Sequence, residues 1–435
     1  MAGRWPTLSL REAGVSLIDC EHRTPPARES GYPYVAIPQI KQGRLDLTDV
    51  RRISETDFHD WTRKARPQAH DVILSRRCNP GETAVVPDGL KCALGQNLVL
   101  LRSDGSKVFA PFLRWLVRGP DWWEQIGKFL NVGAVFDSLK CADVPNFSLP
   151  IPPLRDQRAI AHILDTLDDK IELNRRMNET LEAMARALFK SWFVDFDPVR
   201  AKMEGRRTAG MDKATAALFP DAFQDSPLGK IPKGWIACSL PEAVQVNPPR
   251  PLRQGEIAPY LDMKNMPTQG HRPAGWIIRP MASGTKFANG DTLLARITPC
   301  LENGKTAYVD FLDDGQVGWG STEYIVLRPK APLPSEYGYF LARSDELRAH
   351  AIQNMTGSSG RQRVPAGCLS QFLIVVPSEA VAERFGKAVA PLMGQIKSHS
   401  EQNESLAALR DALLPKLLSG EIRVKDAEKL VESKA

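Results

Sequence analysis

At 435 residues the chain is long enough for two or three domains, and its charged fraction of 25% and apolar fraction of 43% are ordinary for a globular protein. No apolar run approaches the roughly 20 residues that span a bilayer, and the first residues do not resemble a secretory signal, so we expect no membrane association and a cytoplasmic location. The seven cysteines are scattered and never spaced as CxxC, which argues against a disulfide framework or a zinc site.

The net charge of +6 lies in two segments, because residues 1–152 and 231–377 each carry a surplus of +3 and the remainder is neutral. Surpluses of this size are common in proteins that bind nothing anionic, so they are weak evidence for nucleic acid.

Residues 1–152 predict a mixed domain of the α+β class, since strands and helices follow one another without a steady βαβ rhythm. The predicted strands are 5–10, 34–40, 71–76, 83–86 and 98–102. Helices are predicted on either side of Gly119–Pro120.

Residues 153–194 predict a long helix with a heptad seam that is polar at its centre. The seam consists of Ile160, Leu164, Leu167, Ile171, Asn174, Asn178, Leu181, Ala185, Leu188 and Trp192. Adding 225 to each number gives a second seam within 378–420, which departs mainly at Arg410. Residues 195–230 predict a connector with a short helix near 213–218, and residues 421–435 form a tail.

Residues 231–377 repeat the first domain in order. Asp71–Arg76 corresponds to Asp291–Arg296, and Leu98–Arg102 corresponds to Tyr324–Arg328. Together with the two helices, these matches indicate a tandem duplication of a globular domain plus a long helix.

The apolar residues of each seam must be buried, and the seam of the other long helix is the simplest partner. We therefore expect an antiparallel, coiled-coil-like pair with internal pseudo-twofold symmetry, in which Asn174, Asn178, His399 and Asn403 meet and fix the register. A partly wet seam that tolerates asparagine is the alternative. Pro391 and Pro415 predict that the second helix breaks near 390 and ends by Leu414.

Most catalytic motifs are absent, including phosphate-binding and zinc-protease patterns. Asn247–Arg250 is interpreted as a turn, and Asp168–Lys170 as a solvated helix face. What remains are loops rich in side chains that read bases or contact phosphates, for which ordinary surface is the alternative. The candidate DNA-binding residues are Arg76, Arg77, Asn79, Gln96, Arg296, Thr298, Asn303, Lys305, Ser358, Ser359, Arg361, Gln362 and Arg363.

Several stretches, including GDTLLARITPC, TGSSGRQRVP and LRDALLPKLLSGEI, make the chain resemble the DNA-specificity subunit of type I restriction–modification systems from Trp5 to Ile422. The family's Gly-Ser-Ser-Gly-Arg-Gln segment falls on Gly357–Gln362, whereas the first domain has Asn131–Phe136, with neither Arg nor Gln.

The resemblance implies a non-catalytic subunit whose two target-recognition domains each read one half of a bipartite duplex target. The helices would space the half-sites and dock two modification (methyltransferase) subunits, with a pair of restriction subunits where the system has them. No cofactor would be bound by this chain: S-adenosylmethionine belongs to the methyltransferase, and ATP and Mg to the restriction subunit. A scaffold that pairs enzymes without reading DNA is the alternative, and a stand-alone methyltransferase or nuclease lacks its motifs.

Overall fold

The structure, a computed structural model, describes residues 5–133, 136–358 and 360–432. The chain forms two compact units, one from Met1–Ile171 with Glu404–Ala435 and one from Glu172–Asn403. These units divide the chain within the two long helices, so they leave the predicted domain limits untested. Among the described helices, none combines the length and the apolar character needed to cross a lipid bilayer.

The first unit begins with strands β1 to β11 and helices α1 to α4. The strands are Thr7–Ser9, Val15–Asp19, Tyr32–Val35, Ile40–Lys41, Arg44–Leu45, Arg52–Ile53, Val72–Ser75, Thr83–Val85, Ala93–Leu94, Leu98–Ser103 and Ser148–Pro150. The helices are Glu55–Trp61, Ala110–Leu116, Pro120–Phe129 and Leu154–Phe193, the last of which continues into the second unit.

The second unit contains helices α5 to α9 and strands β12 to β23. The helices are Asp197–Met203, Lys213–Ala217, Leu240–Ala243, Ser335–Ala342 and Asp345–Gln353. The strands are Phe223–Ser226, Gly229–Pro232, Ile236–Ser239, Val244–Val246, Ile257–Leu261, Ile277–Pro280, Thr285–Ala288, Thr292–Ala295, Thr306–Tyr308, Val317–Gly320, Tyr324–Pro329 and Leu373–Val376. Helix α10 (Glu379–Ser419) begins here and ends in the first unit, where α11 (Val424–Glu432) follows.

The two units share one topology. The first has an antiparallel sheet of order β2-β10-β7-β8 and a parallel pair, β3 with β9. The second has an antiparallel sheet of order β15-β22-β19-β20 and a parallel pair, β16 with β21. In the first unit β1 pairs with β11, and in the second unit β14, the first strand after the β12–β13 hairpin, pairs with β23. The α+β class and the internal repeat are therefore confirmed.

The domain portion of each unit packs on the long helices through large apolar side chains. In the first unit, Phe112 and Trp115 of α2 join Leu164 of α4 and Leu417 of α10 in one buried cluster. The side chain of buried Gln157 also ties α4 to this domain, because its Oε1 accepts from the Phe109 N–H at 2.7 Å. In the second unit, the corresponding cluster contains residues 189, 192, 193, 340 and 385. Both helices are thus integral parts of the cores.

The predicted break in the second helix is wrong. Helix α10 runs without interruption for 41 residues through Pro391 and Pro415 and ends at Ser419. Pro391 is exposed, whereas Phe385, Val389, Met393 and Ile396 on either side of it are buried. Their burial outweighs the cost of about 3 kcal/mol that one proline imposes on a helix interior.

Replacing Pro391 with alanine should therefore stabilise the second unit by up to about 3 kcal/mol, because it restores a backbone donor and removes a clash with the preceding turn. Denaturant unfolding of the whole chain, with hydrogen exchange of α10 as a local readout, measures the change. Unchanged or faster exchange around residue 391 would contradict this expectation.

The connector is more ordered than the sequence suggests. The short predicted helix is confirmed as α6 (Lys213–Ala217), but α5 and the β12–β13 hairpin also form. Three buried residues, Val199 of α5, Phe219 between α6 and β12, and Ile231 of β13, join the core of the second unit. Residues 195–230 are thus part of a folded unit and contain more regular structure than the one short helix that was predicted.

Candidate nucleic-acid interface

In the first unit, three loops meet where β7 ends. The backbone N–H of Arg76 donates to the carbonyl oxygen of Asn97 at 2.9 Å, and the N–H of Leu139 donates to that of Arg76 at 2.9 Å. The loop that precedes Leu139, which we call the first closed loop (residues 131–138), is held by two backbone hydrogen bonds between its end residues, of 2.9 and 3.0 Å. The loop after β7, the Gln96–Asn97 turn and the first closed loop therefore form one surface.

In the second unit, the same three loops meet where β19 ends. The N–H of Arg296 donates to Glu323 O at 3.0 Å, and the N–H of Val364 donates to Arg296 O at 2.8 Å. The second closed loop (residues 356–363) is again held by two hydrogen bonds between its ends, of 2.9 and 2.8 Å. The predicted pair Arg76 and Arg296 thus occupies equivalent backbone positions.

Of the first unit's candidate residues, Arg77, Asn79 and Gln96 are exposed and Arg76 is half-buried. The guanidinium of Arg77 lies 5.7 Å from the ring of Phe136 in the first closed loop. Gln96 borders a cavity of about 390 Å³. The structure therefore brings the four candidates of this unit to the surface of the three loops.

The second unit's candidates divide into two groups. Thr298 belongs to the loop surface, since its N–H donates to Gln362 O at 3.0 Å, and Arg363 there pairs with Glu323 at 2.8 Å. Lys305 lies apart, because its Nζ donates to the carbonyl oxygen of Met263 at 2.6 Å. Asn303 is exposed and lies near Lys305 in the chain. The remaining candidates of the second unit, Ser358, Arg361 and Gln362, belong to the second closed loop. Ser359 lies outside the described residues.

Asp71 and Asp291 directly precede strands β7 and β19, and their side chains stabilise the fold through buried ion pairs. Asp71 is 3% exposed and accepts hydrogen bonds from the Arg102 guanidinium at 2.8 and 2.6 Å. Asp291 is fully buried and accepts from Arg328 and from Arg250. Arg250 ends the Asn247–Arg250 turn, so its place in that motif is explained by this ion pair. These bonds anchor the strand that delivers Arg76 or Arg296 to the surface.

The register residues of the two helices lie together in the second unit. Asn174 is fully buried and its Nδ2 donates to Asn403 Oδ1 at 2.9 Å and to Gln402 Oε1 at 2.7 Å. His399 Nδ1 donates to Asn178 Oδ1 at 2.8 Å. Partners whose numbers rise on α4 and fall on α10 define an antiparallel arrangement. The structure brings the four residues together, and their role in selecting the register stays a prediction.

Asp168 on α4 lies at the centre of a buried charge cluster in the first unit, so its interpretation as part of a solvated face is wrong. It is 3% exposed and accepts from Arg44 and Arg410 at 2.7 Å each, and from Arg114. Burial alone would raise the pKa of Asp168, but the three guanidinium groups outweigh it and lower the pKa. The seam departs at Arg410 because that arginine reaches this carboxylate.

A further feature that the sequence reasoning missed is an apolar stripe on α4. Leu173, Met177 and Met184 are 52%, 41% and 52% exposed. Their spacing of four and seven residues places them on one side of the helix. Exposed apolar stripes of this kind mark sites for another apolar surface. We call these three residues the α4 stripe.

The equivalence of the two closed loops was not predicted, although it can be derived from the sequence. The offset of 225 that relates the two helical seams also relates residues 131–138 to 356–363. Continuing that register upstream of the helices would have paired Phe136 with Arg361.

Comparisons with known proteins all find similarity to one family. Residues 23–183 match the family described as the type I restriction modification DNA specificity domain. The chain is 28% identical over 338 residues to the specificity subunit of the type I restriction enzyme HindI from Haemophilus influenzae, which covers 66% of this chain and 72% of that protein. It is 23% identical over 385 residues to the MjaIX specificity subunit from Methanocaldococcus jannaschii, covering 86% and 83%.

A solved structure shares the fold. The S subunit of the type I restriction–modification system from M. genitalium aligns with a TM-score of 0.53 and 16% identity, covering 95% of this chain and 96% of that one. At this level of identity the likeness concerns the fold alone.

Proposed function

Because the chain belongs to the family of type I restriction–modification DNA-specificity subunits, we propose that each of its two units reads one half of a bipartite duplex target. The observation that carries the proposal is the duplicated loop surface, which brings Arg76 or Arg296 beside a closed loop in each unit. Arginine, glutamine and asparagine side chains read base edges, while the basic surplus of each domain suits phosphates. A scaffold that reads no DNA is not favoured, since the relatives are named specificity subunits.

The helical pair supplies the spacer in this proposal. Helices of 40 and 41 residues extend about 60 Å at 1.5 Å per residue. The buried polar layer around Asn174 and Asn403 disfavours slippage, because a shift would leave buried amides without partners. DNA between the half-sites would then be measured without being read.

Footprinting and selection with the assembled complex test this function. We expect two short specified segments separated by a spacer of fixed length and free sequence. One continuous specified site would contradict the bipartite proposal, and binding without sequence preference would contradict DNA reading altogether.

The catalytic partners act on DNA, and this chain acts as the recognition subunit beside them. Two modification subunits would dock on the helices, with restriction subunits where the system includes them, all in the cytoplasm. In this proposal the chain itself binds no cofactor, S-adenosylmethionine is held by the modification subunits, and ATP and Mg by the restriction subunits. The seven free cysteines suit a reducing compartment.

The α4 stripe is the surface we propose for a modification subunit. Met177→Asp should weaken assembly at least tenfold, because it places a charge in the apolar contact. Arg175→Asp, on the opposite side of the same helix, adds the same side chain off the stripe and serves as the control. Titration of the purified chain with modification subunit, followed by light scattering, compares the two. Equal assembly by both variants would remove the stripe from the interface.

A further inference from the structure

The two closed loops share the same hydrogen-bonded ends but carry different side chains. Each spans eight residues between hydrogen-bonded ends, Asn131 with Ser138 and Thr356 with Arg363. Position by position, Phe136 stands where the second loop has Arg361, and Val132 where it has Gly357. The first unit therefore has apolar groups at the sequence positions where the second unit has glycine and arginine.

These apolar groups are exposed on a tightly closed loop. Val132 is 83% exposed and Phe136 is 45% exposed. The loop needs glycine at 133, because a Cβ there would stand 2.4 Å from the carbonyl oxygen of Phe136. Exposed apolar side chains are costly in water and suit a surface that binds something apolar.

The loop's surroundings identify the partner as DNA. The guanidinium of Arg77, 5.7 Å from the Phe136 ring, and the half-buried Arg76 are the charges that a phosphate backbone would meet beside it. On a base edge, the one apolar group that a protein reads in the major groove is the 5-methyl group of thymine. The exposed apolar side chains of Val132 and Phe136 beside these arginines fit that group.

We propose that the first closed loop reads A·T pairs by apolar contact of Val132 and Phe136 with thymine methyl groups. This inference rests on the proposed function, and it names the chemistry by which the first unit reads its half-site. The two units then differ in mode of reading: methyl contact in the first, hydrogen bonding through Arg361 in the second.

The experiment uses the assembled complex and duplex DNA in which uracil replaces thymine, which removes the 5-methyl group and keeps the base pairing. Selection from random thymine libraries first defines both half-sites, and the same selection with Phe136→Asn or Val132→Ser identifies the half-site of the first unit by relaxing it; relaxation of neither half-site would overturn the inference. Single thymines in that half-site are then replaced with uracil, and binding is measured for the unaltered complex, Phe136→Asn and Val132→Ser. Ile257→Asn, at a 72% exposed apolar residue of the second unit, is the control.

We expect uracil at one or more positions to weaken binding about fourfold, the factor that corresponds to about 0.8 kcal/mol for one buried methyl group. Phe136→Asn or Val132→Ser should bind the thymine and uracil duplexes equally, whereas Ile257→Asn should discriminate as the unaltered complex does. Specific bipartite binding with no uracil effect in this half-site, or with an effect that both loop variants retain, would overturn the inference and leave the proposed function intact. Absence of specific binding would overturn both.

Discussion

Asp168→Asn is expected to lower the free energy of unfolding of the first unit by about 3–5 kcal/mol, the cost of breaking a buried ion pair by removing one partner. Asparagine keeps the size of the side chain but removes the charge that faces Arg44, Arg114 and Arg410. Arg114 and Arg410 have side chains only 9% exposed, so water cannot replace the lost carboxylate.

Asp169→Asn is the matched control. Asp169 pairs with the same Arg44, at 2.9 Å, but its side chain is 73% exposed. An exposed ion pair contributes about 0–1 kcal/mol, so this neighbour should change little. Denaturant unfolding of the full chain, with hydrogen exchange of α2 and the end of α10 reporting on the first unit, distinguishes the variants. Equal effects at 168 and 169 would mean that burial does not set the strength of this cluster.

The lowered pKa of Asp168 also predicts how the difference depends on pH. An acid whose folded-state pKa lies below its unfolded value of about 3.9 contributes stability that is present above that value and is lost as pH falls through the folded pKa. The asparagine variant lacks this contribution, so the two stability curves should approach each other below about pH 4. The pKa of Asp165 is raised by burial and also by the charge of Asp168, so the Asp168→Asn variant should lower the pKa of Asp165 as well.

The charge cluster around Asp168 could not be predicted from the sequence, whereas the helices that carry it could. Hydrophobic periodicity predicted both long helices, their polar centre and the antiparallel pairing, because those features repeat at a period that one helix carries by itself. Asp168 was misinterpreted because its partners lie 54, 124 and 242 positions away in the chain. Nothing in the local pattern distinguishes a charged residue that faces water from one that faces three distant arginines.

Local rules failed at the second helix and the connector for a related reason. Proline was expected to end α10, but the propensity of one residue was weaker than the tertiary burial of the apolar residues around it. The connector has no periodicity, yet its residues Val199 and Phe219 are 0% and 1% exposed against the core. Apolar residues without helical or strand periodicity therefore still predict burial, even where they predict no helix or strand.

For the interface, the strand motif predicted the equivalence of Arg76 and Arg296, and the structure adds what surrounds them. Sequence composition favoured loops with arginine and glutamine, so the apolar first closed loop received no candidate residue. Backbone hydrogen bonds relate that loop to residues 356–363 whatever side chains it carries. Of the six residues in the Asn131–Phe136 segment, 134 and 135 lie outside the described part of the chain.

Arg361→Ala is expected to weaken binding of the complex to its target by about 1–3 kcal/mol, roughly 5- to 150-fold, if Arg361 reads a guanine through two hydrogen bonds. Arg361 is exposed, and no ion pair engages its side chain among the described residues, unlike Arg363, which pairs with Glu323. The loss should relax one position of the second half-site and leave the first half-site unchanged. Arg206→Ala, at a 62% exposed arginine of the connector, is the control.

The salt dependence of binding separates the two roles that an exposed arginine can have. A phosphate contact would weaken all sequences equally and lower the slope of log K against log salt by about one, whereas a base contact changes the preference at one position with little change in slope. Selection with the variant complex at two salt concentrations therefore decides between them. Uniform weakening with a reduced slope would assign Arg361 to the backbone, and base reading by the second unit would then have to come from Gln362 or from the loop after β19.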